Sequence, residues 1–251
     1  MDLTVLVRFG LLLIRPGMVV MLAPGIGDSF LQPRTKIGLT VLIAIGLLPT
    51  VLIPRVVVDV PITIVIAREL AIGASIAFVM RALIAGAEFA GHLSGYQIGF
   101  SYGATVDPLS GVRNNMLATF YGMLATLGFL AVNGHHAVLR ALAMSYAEMP
   151  IGAGHIDASL VGSVRDILGL VFSVAVRLAA PIVAILVVVE LVVGLISRAS
   201  PALTSMVIGY PVKLVIGLVV LGLMVGTVPG VTNSLIETAL RLGGRLAGGF
   251  R

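Results

Sequence analysis

The 251-residue sequence has no cysteine and no tryptophan, and it carries little charge of either sign. Without cysteine there are no disulfides, no thiol catalysis and no thiolate metal sites. Charged residues make up 11% of the chain, where a soluble protein carries about a quarter. That deficit leaves no soluble domain large enough to hold an active site. The formal net charge of +5 and the sequence pI of about 10.1 raise the question of nucleic acid. The basic residues, however, stand singly beside apolar segments with no basic run, which is the membrane pattern. No nucleic-acid partner is expected. A convincing signal peptide is also missing: the apolar run Phe9–Ile14 is short, Arg15-Pro16 interrupts it, and no small-x-small cleavage site follows. The N-terminus is expected to be retained as the first membrane segment.

What the chain has in quantity is apolar length. Hydrophobic residues make up 59% and the mean hydropathy is +1.14, the signature of a polytopic membrane protein. Six blocks can be drawn: Phe9–Ile26, Ile37–Ile53, Ile62–Ala87, Met116–Val132, Ile167–Ile196 and Leu203–Val228. Turn and breaker residues separate them, at Pro24 to Asp28, Pro54-Arg55, Asp107 to Gly111, Pro150 to Gly154 and Ser200-Pro201. The expected fold is an all-α integral membrane protein with about six hydrophobic helical segments. No internal repeat suggests the inverted halves of secondary transporters.

The block Ile167–Ile196 is long enough to span a bilayer, yet it contains Arg177 and Glu190. Each costs about 2.5–3.5 kcal/mol inside the membrane on insertion scales. The two lie about 20 Å apart along a helix and more than half a turn out of phase, so they cannot neutralise one another. Each therefore needs a partner on another helix, on another subunit or in water. Arg68, Glu69 and Arg81 also fall within a block.

Between the third and fourth blocks runs a small-residue ladder at steps of four: Ala87, Gly91, Gly95, Gly99 and Gly103. On a helix this opens a groove for close backbone approach; the plainer alternative is that glycine is simply common in membrane helices. The ladder leads into Asp107-Pro108-Leu109-Ser110-Gly111, strong turn chemistry pinned between two apolar elements. Loops at membrane depth persist only inside protein or along a wet cavity, so this segment is either pore-associated or an ordinary surface turn.

Catalysis and metal binding find little support. His135 and His136 are adjacent and face different directions on a helix, while Glu88 and His92 have the i, i+4 spacing but no third ligand. There is no catalytic triad with recognisable surroundings, no phosphate loop and no dinucleotide fingerprint. Glu69, Glu88 and Glu190 are candidates for an intramembrane proton relay, or each is neutralised by a nearby cation. A polytopic ion or solute transporter using Glu88, His92 and Glu190 is the alternative from another functional class.

Four stretches in order, Arg15–Thr50, Gly95–Gly111 (GYQIGFSYGATVDPLSG), Phe129–Gly152 (FLAVNGHHAVLRALAMSYAEMPIG) and Glu190–Leu218, resemble the flagellar biosynthetic protein FliR family and its injectisome relatives. Where relatives often carry Gln and Asn after the Ser-Arg-x-x-Pro motif, this chain has Ala202 and Thr204. The resemblance implies a non-enzymatic subunit without cofactor of the type III protein export gate. It would sit in the bacterial inner membrane at the flagellar basal body, assembled with FliP and FliQ, with FlhB associated and FlhA nearby. Exported flagellar proteins would be its substrates. A subunit of a virulence injectisome gate is the alternative within this class. The resemblance also implies one membrane domain over 1–251, FliP-like to about 165 and FliQ-like over 166–251. It places a pore plug in the loop around Asp107, Pro108, Gly111 and Arg113. Gly91, Gly95, Gly99 and Gly103 would serve helix packing. Arg177, Glu190, Arg198 and Lys213 would pair with charges across subunits.

Overall fold

The computed structural model describes residues 3–25, 27, 31–49, 51, 61–100, 116–152, 159–199 and 209–226. Among these residues there are seven helices and no strand: α1 (Leu3–Leu22), α2 (Pro33–Leu47), α3 (Ile62–Ile98), α4 (Met116–Ala131), α5 (Gly134–Glu148), α6 (Ser159–Ala199) and α7 (Tyr210–Val225). The all-α membrane class is the one observed. Ile62–Ile98 and Val164–Ala199 are long and apolar enough to cross a membrane, and the bent pair α4–α5 adds a third if it counts as one span.

Three departures from the hydropathy blocks have local causes. The first block, Phe9–Ile26, is shifted: α1 begins at Leu3, runs through Arg15-Pro16 and ends at Leu22, before the Pro24-Gly25 turn. The third block ends at Ala87, but α3 continues to Ile98 and takes in Gly91 and Gly95. The stretch Gly134–Glu148, covered by no block, is a helix of its own. It meets α4 at 67° because Asn133 adopts the left-handed conformation (φ 58°), which asparagine tolerates better than most residues. Gly134 then leaves room for the Phe129 ring where a Cβ would stand.

The described parts of the chain fall into two compact units that alternate along the sequence. One gathers Met1–Ala82 and Phe129–Gly169; the other gathers Leu83–Gly128 and Leu170–Ser234. In the first, Leu12, Val19 and Val20 of α1, Ile72 and Val79 of α3 and Leu142 of α5 are buried. In the second, helices meet at glycines. A Cβ on Gly86 would stand 3.0 Å from the Val171 carbonyl oxygen, and one on Gly91 would stand 2.6 Å from both Ala118 Cα and the Leu117 carbonyl oxygen. One on Gly217 would meet the Ile98 side chain at 2.6 Å. The Phe89 and Phe172 rings pack edge-on beside these contacts, 5.7 Å between centroids. This is the close small-residue packing that membrane helices use when apolar burial alone gives no preference for helix over lipid.

Candidate functional site

Four polar or charged residues are fully buried among the described ones, and three of them meet: Arg15, Glu69 and Ser145. Arg15 and Glu69, 54 residues apart, are both 0% exposed. Nε of Arg15 donates to Oε2 of Glu69, and Nη2 donates to Oε1 at 3.1 Å, a two-pronged pairing that only a guanidinium can make. Nη1 donates to the Ser145 carbonyl at 2.9 Å and to Ser145 Oγ at 3.2 Å, and Nη2 donates to the Met149 carbonyl at 2.9 Å. Five acceptor contacts thus match the five N–H bonds of an arginine. Glu69 Oε1 also accepts the Gly152 N–H at 3.1 Å. Gly152 sits at φ 84°, a backbone conformation that favours glycine.

The local sequence makes this enclosure feasible. Gly73, one turn after Glu69 on α3, faces the α1 backbone; a Cβ there would come within 2.9 Å of Arg15 Cα and of the Arg15 carbonyl oxygen. The Arg15 side chain then reaches Glu69 and the C-terminal end of α5, the negative end of the helix dipole, where the Ser145 carbonyl accepts both the Met149 N–H and the guanidinium. The guanidinium carbon lies 4.5 Å from the centroid of the Tyr146 ring.

Pro16 frees a backbone group that the same cluster recovers. Proline has no N–H, so the Leu12 carbonyl, four residues back, loses its α-helical partner. The Tyr146 hydroxyl donates to that carbonyl at 2.9 Å. Tyr146→Phe keeps the ring beside Arg15 but leaves the carbonyl unpaired in an apolar setting, a cost of about 1–3 kcal/mol. The expected outcome is a fall of several degrees in the thermal midpoint of the purified chain in detergent, with Tyr146→Leu lower still. An unchanged midpoint for Tyr146→Phe would show that the proline-freed carbonyl needs no partner.

Chemically the cluster is closed. Its cation is saturated and its anion is ion-paired, so it offers no vacant donor to a ligand and no free carboxylate to a relay. Of the two readings of Glu69, neutralisation by a cation is the one observed. Nothing in the sequence pointed to Arg15 as that cation. An arginine in the middle of an apolar run that continues on both sides needs a partner for the same reason as Arg177, and that was the available signal.

A second polar group lies in the other unit. Lys213 Nζ on α7 is 3.0 Å from Glu190 Oε1 on α6, and Gln97 Nε2 on α3 donates to Glu190 Oε2 at 3.3 Å. The Lys213 and Glu190 side chains are 20% and 60% exposed. Two of the four charges expected to pair across subunits, Glu190 and Lys213, therefore bind each other within the chain. Arg177 and Arg198 are exposed on α6. Among the described residues no group of three or more His, Asp or Glu is arranged to hold a metal ion.

The small-residue ladder is not one continuous helical groove. Ala87, Gly91 and Gly95 lie on α3 and are buried. Gly99 has left the helix, at φ 100°, and its N–H and that of Phe100 both donate to the Gly95 carbonyl, a glycine-ended helix C-terminus. Gly103 and the expected plug residues Asp107, Pro108, Gly111 and Arg113 lie outside the described residues.

Long apolar helices, an enclosed Arg15–Glu69 pair and close helix contacts at glycine define a membrane protein built of closely packed helices. The family model for bacterial export proteins, family 1, matches residues 6–239. The chain belongs to that family. It is 30% identical to the flagellar biosynthetic protein FliR of Pectobacterium carotovorum subsp. carotovorum, over 88% of this chain and 85% of the relative. It is also 30% identical to FliR of Escherichia coli strain K12, over 82% and 79% respectively. The surface presentation of antigens protein SpaR of Shigella sonnei is 23% identical over 82% of this chain and 80% of its own length.

Proposed function

We propose that this chain is a non-enzymatic subunit of the flagellar type III protein export gate in the bacterial inner membrane. It would assemble with FliP and FliQ at the basal body, with FlhB attached and FlhA close by. It would line part of the path that unfolded flagellar proteins take out of the cytoplasm. The observation that carries this reading is the family match over residues 6–239 together with FliR relatives covering four-fifths or more of the chain. The higher identity to FliR than to SpaR favours the flagellar gate over an injectisome gate. The closed chemistry around Arg15 supports a structural rather than a catalytic role. The division near residue 165, FliP-like before and FliQ-like after, belongs to the same proposal.

In this reading the loop around Asp107, Pro108, Gly111 and Arg113 closes the resting pore. Replacing Asp107–Asn114 with a short Gly/Ser linker should make cells expressing the gate permeable to small ions, read as a fall in membrane potential. A membrane as ion-tight as wild type would refute the plug. The function itself is tested by deleting the gene: flagellar proteins should vanish from the culture medium and return with the plasmid-borne chain. Undiminished flagellar export without the chain would refute the reading.

A further inference from the structure

Between Asp166 and Glu190, α6 extends for about one bilayer thickness and carries a single charge, Arg177, near the middle. Arg177 stands roughly 16 Å along the helix from Asp166 and roughly 20 Å from Glu190. It is too deep to reach the headgroups as cations near helix ends do. Arg177 is exposed, and among the described residues it makes no ion pair or side-chain hydrogen bond.

One turn on, Pro181 adds a second unmet demand. It has no N–H to give the Arg177 carbonyl, just as Pro16 has none for Leu12. In α1 the Tyr146 hydroxyl fills that role; on α6 the corresponding position faces outward. The surrounding surface is apolar: along one row of the helix at steps of four, Phe172, Val176 and Val188 are exposed large side chains and Ala180 and Ala184 are exposed small ones.

We infer that this face of α6 docks a membrane helix of a different subunit that carries an Asp or Glu near mid-span, paired with Arg177. The carboxylate meets the guanidinium, the small residues admit the partner backbone, and a donor on the partner meets the Arg177 carbonyl. Lipid tails supply neither group. A second copy of this chain does not supply a mid-span carboxylate: among the described residues, those well inside apolar helices are engaged or shielded, and the exposed Asp166 stands near the start of α6, roughly 16 Å along the helix from Arg177. Glu69 is enclosed with Arg15, Glu190 is bound by Lys213 and Gln97, and Glu88 is half-buried against Gly122. The inference rests on the export-gate reading and specifies one of its contacts.

The test places a photo-reactive amino acid at Val176 in the full-length chain expressed in its own membrane. Irradiation should give an adduct whose cross-linked peptide comes from another protein and lies in an apolar helix bearing an Asp or Glu. Arg177→Glu should lower that adduct and the co-purified partner at least ten-fold, and changing the partner's carboxylate to Arg should restore both. Arg177→Leu, which an isolated membrane helix tolerates, should also lose the partner while the chain remains at normal level. Adducts only with lipid, adducts only with a second copy, or full partner recovery in Arg177→Leu would each overturn the inference. If the wild-type complex keeps its partners but none meets Val176, the docking face fails and the gate reading stands. If the wild-type chain purifies alone, the gate reading fails with it.

Discussion

Arg15→Met is expected to remove most of the folded chain from the membrane. The substitution leaves Glu69 as a buried carboxylate whose remaining partner is the Gly152 N–H, and it strips the Met149 carbonyl of its Arg15 donor. Removing one partner of a buried ion pair costs about 3–5 kcal/mol. Proteins hold only about 5–15 kcal/mol against unfolding, so a loss of this size takes much of the margin. Arg15→Lys should be intermediate, because one ammonium with three donors cannot span Glu69, Ser145 and Met149 together. The double variant Arg15→Met/Glu69→Leu should recover part of the loss, since no charge is left buried, while the backbone groups at Met149 and Gly152 still lack their side-chain partners. Chain level in membranes by immunoblot and thermal midpoint in detergent together measure this order. Equal stability of Arg15→Met and wild type would show that the cluster is incidental.

Gly91→Leu should disrupt the second unit nearly as strongly. The atoms that a Cβ at Gly91 would meet are the Ala118 Cα and amide nitrogen and the Leu117 carbonyl oxygen, all backbone of α4. A side chain in the way can rotate aside; a helix backbone must move as a whole. Overpacking of this kind costs about 1–3 kcal/mol even where side chains can adjust. Gly91→Ala is expected to lower the thermal midpoint and Gly91→Leu to abolish purification of intact chain. Gly222, with nothing within 4 Å of its Cβ position, is the control. There Ala should raise the midpoint slightly by restricting the unfolded chain. A Gly91→Ala variant as stable as wild type would refute the close packing of α3 on α4.

Some of this was legible in the sequence and some was not, and the division follows the range of the physics. Composition set the membrane class, with 59% hydrophobic and 11% charged residues, and the long unbroken apolar runs set the all-α one, since strands of a barrel would alternate. Block positions also came through, since apolar runs of span length are a local signal. The helix Gly134–Glu148 did not, because His135, His136, Arg140, Ser145 and Glu148 dilute its hydropathy. Arg15 with Pro16 looked like an interruption for the same reason. In fact the polar atoms they introduce are taken up by α3 and α5, contacts 54 to 134 residues away that no local pattern encodes. The demand that a mid-membrane charge find a partner was readable for Arg177 and Glu190. The identity of the partner was not: for Glu190 it is Lys213 of the same chain. Gly99 shows the opposite limit, where a regular spacing of four suggested one groove and the positive φ of a helix end broke it.

The proposal that this chain is one subunit of a hetero-oligomeric membrane gate is open to a direct biochemical measurement. Extraction of an affinity-tagged copy in mild detergent, followed by mass spectrometry of what co-purifies, tests it most directly. The expected result is a stable complex containing small hydrophobic proteins of the FliP and FliQ type. A lone chain, or a complex of this chain with itself only, would contradict it.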